Sequence, residues 1–164
     1  MKTTLVVFGS TTGSCEDYAS RIASRLDADV ANVADVDVDT LNRYPHLVLG
    51  TSTWGSGDLQ DDWYDGVSLL QKASMKDKTI ALFGCGDAES YPDTFCGGMS
   101  ALYNAVKDSG AKLVGQVDAS TYTYDDSESV VDGQFVGLAL DVNESDDQIN
   151  RRIDNWVAAI KPEL

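Results

Sequence analysis

Six residues from Gly9 to Ser14, Gly-Ser-Thr-Thr-Gly-Ser, combine two glycines with four hydroxyls and hold no Lys or Arg. They follow the apolar run Leu5-Val6-Val7-Phe8, which suits a buried parallel strand. They precede Glu16 to Leu26, where Tyr18, Ala19, Ile22, Ala23 and Leu26 recur at helical spacing. A polar turn between a strand and a helix exposes unpaired N–H groups at the positive end of the helix dipole, where an anion is favoured. Hydroxyls without a cation suit a phosphate monoester that is held rather than transferred. The lysine of GxxxxGK[ST] is missing, and so is GxGxxG. A Ser/Thr-rich capping turn is the alternative for the same residues.

Two more loops carry aromatic residues among polar ones. Thr51-Ser52-Thr53-Trp54-Gly55-Ser56-Gly57-Asp58-Leu59 follows the strand Leu47–Leu49, and Gly84 to Asp93 follows the strand Thr79–Phe83. Trp54 in the first and Tyr91 in the second can stack on a flat ring, a contact worth about 0.5–1.5 kcal/mol beyond burial. Trp54 folded back on its own loop is the alternative. With the phosphate turn, the two loops form a slot for a flat phosphorylated heterocycle. Cys15 and Arg21 also stand at the Cys-x5-Arg spacing of low-molecular-weight tyrosine phosphatases. Glu16 and Asp17 would crowd a phosphate there, and the helical pattern carries Arg21 away, so the spacing is read as coincidence.

The elements that position these loops alternate between strand and helix. After the first strand and helix come a strand at Asp29–Val33 and a brief helix within Val38–Tyr44 that ends before Pro45. Trp63–Leu70 and Gly98–Ser109 read as helices, and Leu113–Val117 begins a fifth strand. Asp118 to Phe135 is polar, Tyr-rich and without clear period; Val136–Leu140 is apolar again, and Ile149–Ile160 closes the chain as a helix. This order predicts a mostly parallel sheet with helices on both faces and ligands at the carboxyl ends of its strands. The length of 164 residues suits one domain, 1–164.

A net charge of −15 disfavours nucleic acid and anionic membranes and favours basic protein partners, solubility or adaptation to salt. No stretch approaches the roughly 20 apolar residues of a membrane span, and no secretory leader is visible, which predicts a cytoplasmic protein. Cys15, Cys85 and Cys96 are odd in number and far apart, which argues for reduced thiols rather than disulfides or zinc. His46, the only histidine, precedes an apolar strand and reads as structural; no catalytic constellation is visible.

With these residues in hand, the chain resembles a flavodoxin of the long-chain type. Ser10-Thr11-Thr12-Gly13-Ser14 resembles its phosphate loop, Thr53-Trp54-Gly55 with Leu59-Gln60-Asp61-Asp62-Trp63 its second flavin loop, and Phe83-Gly84-Cys85-Gly86-Asp87 with Tyr91 its third. The likeness continues from Gly133 to Asp141 and on to Trp156. It implies a doubly wound five-stranded parallel sheet, flavodoxin-like, with residues 118–135 as an insertion splitting the fifth strand. It implies flavin mononucleotide (FMN) as cofactor. Residues 10 to 15, including Cys15, would hold the phosphate. Trp54 and Tyr91 would flank the isoalloxazine ring, and Asp87 would meet its polar edge through its backbone, beside Gly86. Ser52 and Thr53 belong to the same binding set, the Gly55–Ser56 peptide would answer flavin N5, and Asp93 and Asp141 would reach the ribityl chain. Two departures stand out: Cys15 replaces the usual threonine, a weaker donor, and the segment before the third strand looks shortened.

The resemblance implies a soluble, monomeric low-potential one-electron carrier that shuttles between semiquinone and hydroquinone. A peptide rotating at Gly55 to accept a hydrogen bond gains about 0.5–1.5 kcal/mol, a few tens of mV at ~59 mV per tenfold. Asp58, Asp61, Asp62, Asp87, Glu89 and Asp93 would repel an anionic reduced flavin, each by about 1.7 kcal/mol at ~10 Å and an effective dielectric of ~20. The same acids suit basic docking faces of a reductase, such as a ferredoxin/flavodoxin-NADP reductase, and of a low-potential acceptor or donor. An FMN-dependent NAD(P)H/quinone oxidoreductase on the same fold is the enzymatic rival. A response-regulator receiver would need a phosphorylatable Asp where Leu49-Gly50-Thr51 stands.

Overall fold

Leu5, Val6, Val7 and Phe8 lie inside β1 (Thr4–Gly9), a strand buried along its whole length. A strand with both faces covered must also satisfy both edges. β1 accordingly pairs in parallel with β2 (Asp29–Asn32) and β3 (His46–Trp54). The computed structural model describes residues 3–9, 13–54, 58–59, 62–91 and 93–164, the side chains of residues 54, 58 and 59 excepted. Beyond β3 lies β5 (Thr79–Gly86), then β10 (Leu138–Asp141), so the parallel order is β10-β5-β3-β1-β2. β4 (Asp58–Leu59) returns antiparallel against the end of β3.

Helices α1 (Ser14–Leu26) and α5 (Asp146–Ile160) cover one face. There Ile22, Ile153 and Trp156 pack with Val6, Phe8, Phe83 and Leu140. Helices α2 (Val38–Arg43), α3 (Asp62–Lys72) and α4 (Gly98–Val106) cover the other, where Leu41, Trp63 and Leu102 meet Leu47, Leu49 and Leu82. Burying each such side chain contributes roughly 1.5–3 kcal/mol. Gly50 is required by this packing: a Cβ there would sit 2.0 Å from the Phe83 ring. Arg21 reaches Asp146 and Asn150, and Arg25 reaches Asp154 and Asn150, which ties α1 to α5.

The fifth strand is divided. β6 (Lys112–Val114) pairs with Thr79–Ala81 of β5, and β10 pairs with Phe83–Gly86. Between them the chain leaves the sheet at Gly115, φ +84, and forms a small antiparallel sheet of β7 (Val117–Asp118), β8 (Val130–Val131) and β9 (Gln134–Phe135). Two expectations shift here. The fifth strand stops at Val114 rather than Val117, because Gly115 turns the chain. Residues 118–135, without period in sequence, hold short strands whose partners are one another and an aromatic cluster in which Tyr122 meets Phe135 edge-on at 4.9 Å.

Other boundaries move outward. Thr51–Trp54, expected in a loop, continue β3, and Gly84–Gly86 continue β5, since Thr51 and Ser52 pair with Gly84 and Cys85. The closing helix starts at Asp146, three residues before its first apolar position. Ser145 caps it by accepting the Gln148 N–H at 3.2 Å, a contact worth about 1 kcal/mol. Among the described residues, no helix is long and apolar enough to cross a membrane.

Candidate functional site

The strand order reverses between β1 and β3: the chain moves from β1 outward to β2, then crosses back to β3 on the other side. Loops from the two sides part there, leaving a crevice beyond the carboxyl ends of the strands. The described residues bound a cleft of about 230 Å³ at that place. Ser14 enters it from the start of α1, Ser52 and Thr53 from the end of β3, and Cys85 and Gly86 from the end of β5. Asp87, Tyr91, Thr94 and Cys96 come from the following loop, and Val142 from the end of β10. A larger hollow of about 450 Å³ lies between α5 and the insertion and shares none of these residues. It is off the strand ends, and its Arg152 is already engaged with Glu144 and Thr121.

Each wall has its own support. Helix α1 begins after Gly13, whose φ of +91 turns the chain into the helix and which has no side chain to cap the first N–H groups. Ser52 is 7% exposed, and its hydroxyl has no hydrogen-bond partner among the described residues. Leaving such a group dry and unpaired costs about 1–3 kcal/mol. Thr53 Oγ1 accepts the Gly98 N–H at 3.1 Å and fixes the end of β3 against α4. Gly86 allows Cys96 to approach; a Cβ at Gly86 would lie 2.8 Å from the Cys96 nitrogen.

The third loop is held by polar residues that the sequence did not single out. Asp87 Oδ1 accepts the Glu89 and Ser90 N–H groups at 3.1 and 3.0 Å and Asn143 Nδ2 at 2.8 Å. Asn143 Nδ2 also donates to Asp141 at 2.9 Å, so one amide ties the loop after β5 to the end of β10. The Asn143 amide, followed by the Ser90 N–H, holds the Asp87 carboxyl below the usual carboxylate range. From the insertion, Ser129 Oγ donates to the Cys96 carbonyl at 2.7 Å, and Ser127 Oγ donates to that of Phe95. Asn143, Ser127 and Ser129 are short polar residues that each reach a partner remote in sequence, Asp87, Phe95 and Cys96 respectively, so no local pattern marks that role.

The expected site residues fall into three groups. Gly13 and Ser14, Ser52 and Thr53, Gly86, Asp87 and Tyr91 come together at the cleft or its rim, and Tyr91 is 52% exposed. Ser10, Thr11, Thr12, Gly55 and Ser56 lie outside the described residues, as does the side chain of Trp54. The rest are placed differently. Asp141 is half-buried and serves the Ala88 and Asn143 N–H groups, and Asp93 is exposed outside the cleft lining. Cys15 is fully buried, with its thiol against Cys85 in the core beneath α1 rather than facing the cleft. The hydrogen bond to Cys85, with burial, pushes that thiol well up, so it is neutral. Arg21 pairs with Asp17 at 2.8 Å and with Asp146 at 3.3 Å, which removes it from any phosphate loop built on Cys15. His46 meets Thr4 Oγ1 at 3.5 Å at the amino end of β3, the opposite end of the strand from the cleft. Among the described residues, no group of three or more His, Cys, Asp or Glu side chains could hold a metal ion.

A doubly wound α/β chain with a cleft beyond the strand ends at the switch point defines the class of open-sheet proteins that bind their ligands there. The particular family follows from comparison. Residues 6–156 match the family model described as Flavodoxin. The chain is 38% identical to Flavodoxin 1 of Azotobacter vinelandii, covering 97% of this chain and 95% of that protein. It is 36% identical to Flavodoxin 1 of Escherichia coli, covering 100% and 96%. A crystal structure of Fusobacterium nucleatum flavodoxin bound to flavin mononucleotide superposes with a TM-score of 0.92 at 28% identity, covering 100% of this chain and 99% of that one. The chain belongs to the flavodoxin family.

Proposed function

We propose that the chain is an electron carrier that works through bound FMN, and that residues 1–164 act as one FMN-binding domain. The observation that carries this reading is Ser52: a buried hydroxyl without a partner among the described residues, lining a cleft at the switch point, is what a ligand oxygen would satisfy. The Fusobacterium relative with FMN bound supports the identity of the ligand. Bound FMN supplies a centre that takes up electrons one at a time. The protein's part is to hold and tune it. Ser10, Thr11, Thr12, Gly13 and Ser14 and the start of α1 take the phosphate, with Cys15 contributing through its backbone. Trp54 and Tyr91 would flank the ring, Gly86 and Asp87 would meet its edge, and Thr53 keeps its strand end in place. The Gly55–Ser56 peptide would offer its carbonyl to the ring. Asp93 and Asp141 complete the ribityl side, Asp141 by way of Asn143.

The carrier works at low potential, between the one- and two-electron-reduced states. The acids near the cleft repel added negative charge, and this lowers the second potential. They also present an acidic face to basic redox proteins, such as a ferredoxin/flavodoxin-NADP reductase and a low-potential donor or acceptor. The working form is a cytoplasmic monomer.

Stepwise anaerobic reduction of the purified protein, followed by visible absorption, tests this. A yellow protein that passes through a blue one-electron intermediate in high yield is the expected result. Direct passage to the two-electron state, with rapid unaided oxidation of NADPH, would assign the chain to the oxidoreductases instead. A colourless protein that takes up no added FMN would overturn the reading.

A further inference from the structure

Helix α5 divides its polar residues between two flanks. Asp146 and Asp154 meet Arg21 and Arg25 of α1. On another flank Gln148, Arg152, Asn155 and Ala159 recur at helical spacing, with Arg151 beside them, and all line the hollow of about 450 Å³ between α5 and the insertion. The apolar lining of that hollow comes from Leu138 and Trp156, both buried, and from half-buried Val117 and Tyr122. The two arginines differ. Arg152 is neutralised by Glu144 at 2.8 Å and lies 3.9 Å over the Tyr122 ring. Arg151 is exposed, and among the described residues its guanidinium has no ion pair or hydrogen bond, although the chain holds 27 acids against 12 cations. The side-chain amides of Gln148 and Asn155 are likewise without a hydrogen bond among the described residues. Asp118, the acid of the described lining, comes from the insertion and accepts the Ser120 N–H at 2.9 Å.

We propose that this hollow is a second ligand site, for a small amphipathic monocarboxylate. Its volume is that of a small-molecule pocket, about 300–1,000 Å³. The planar guanidinium of Arg151 takes a carboxylate through two parallel N–H groups. The amides of Gln148 and Asn155 donate to the lone pairs that remain, and the hydrocarbon part lies against Leu138, Val117 and Trp156. Neither half suffices alone. An ion pair at an exposed arginine is worth little in water, and the apolar lining does not discriminate among hydrocarbons. A single negative charge is selected, because a second one would meet Asp118. The hollow shares no lining residue with the cleft at the switch point, so its ligand binds whether or not that cleft is filled.

The experiment titrates 2-naphthoate into the isotope-labelled full chain, with FMN in excess and without it, and follows the indole N–H signals by NMR. Trp156 donates its indole N–H to the Gly115 carbonyl at 2.8 Å beside the hollow, and Trp63 donates to Gly50 at 2.7 Å in the other core and serves as reference. The Trp156 signal should shift saturably, with the same Kd under both conditions, while that of Trp63 stays in place. Arg151→Gln should raise the Kd about tenfold or more, the loss expected of a charged hydrogen bond, and should leave the urea midpoint unchanged because the side chain is exposed and unpaired. Neutral 2-naphthamide should bind the native chain more weakly by a similar factor. Ala159→Phe, which fills the hollow from an exposed helix position, should also weaken 2-naphthoate while keeping Arg151. A Trp156 signal that stays still at millimolar 2-naphthoate overturns the proposal, as does binding that Arg151→Gln leaves unchanged. Binding that disappears when FMN is added places the probe in the cleft and overturns it as well.

Discussion

At Ser52 the folded chain buries a hydroxyl that no described residue pairs, and that makes a specific variant informative. Ser52→Ala removes the cost along with the group, so the FMN-free protein should unfold at the same urea concentration or a slightly higher one. A hydrogen bond to a charged ligand oxygen is worth about 1.5–3 kcal/mol, so FMN should dissociate roughly tenfold or more readily, as titration of flavin fluorescence would read. Weaker folding with unchanged FMN affinity would place Ser52 outside the binding set. Asn143 offers a second test. Its amide is the main cause of the lowered Asp87 carboxyl, so in Asn143→Ala the Asp87 midpoint should move up toward the ordinary value of about 3.9, as carboxylate NMR would follow. The sign is that of a depressed acid: the stability from this contact is present above the unfolded pKa and is lost as pH falls from there through the folded one. Ser14, Ser52, Thr53, Gly86, Asp87 and Tyr91, singled out in the sequence by type and place, lie together at the cleft. Asn143, Ser127 and Ser129 were not singled out, because an amide or a hydroxyl acquires a role only from partners that folding delivers, 32 to 56 positions away.

Among the elements, the divided fifth strand depends on a close approach at Gly137. A Cβ there would lie 2.0 Å from the Leu82 carbonyl oxygen, a backbone atom that cannot swing aside. Gly137→Ala should lower stability by about 3 kcal/mol, the upper range for overpacking, measured as a reduced urea midpoint. Arg152 anchors the insertion to α5: it forks onto Glu144 at 2.8 and 3.1 Å, donates to Thr121 and lies 3.9 Å over the Tyr122 ring. Arg152→Met should cost about 2 kcal/mol, since the Glu144 carboxylate, 20% exposed, is left without its ion partner. Hydrogen exchange should localise the loss to residues 119–136 before the parallel strands respond. The parallel strands and long helices were legible because apolar runs and helical periods mark them. The ends of β3 and β5 were not, because Thr51, Ser52 and Gly84 carry a polar or glycine-rich signature while pairing as strand. The short strands of the insertion were hidden for a related reason: two-residue strands show no period.

For the molecule as a whole, a net charge of −15 sets a self-repulsion that folding must overcome. Among the described residues, carboxylates drawn into ion pairs include Asp17 with Arg21 and Glu144 with Arg152. The unfolding midpoint should therefore rise steadily between 10 mM and 1 M salt, where the screening length shrinks from about 30 to 3 Å. Association with a basic partner should show the opposite trend, with on-rates falling as salt is added. A midpoint indifferent to salt would mean that the acids are too widely spread to matter.

The divided strand also has a consequence for the order in which the molecule is built. Thr79 and Lys112 are 33 positions apart, whereas Phe83 and Leu138 are 55 apart, yet both pairs lie along the same edge of β5. Closing the shorter stretch of chain costs less entropy. The base of that edge is thus free to zip early, while the upper part waits for the whole insertion to return. Pulse-labelled hydrogen exchange during refolding should find β6 protected before β10. In this protein the scaffold precedes the pocket in time as well as in logic, and a chain still emerging from the ribosome would own a sheet before it owned the cleft beyond its strand ends.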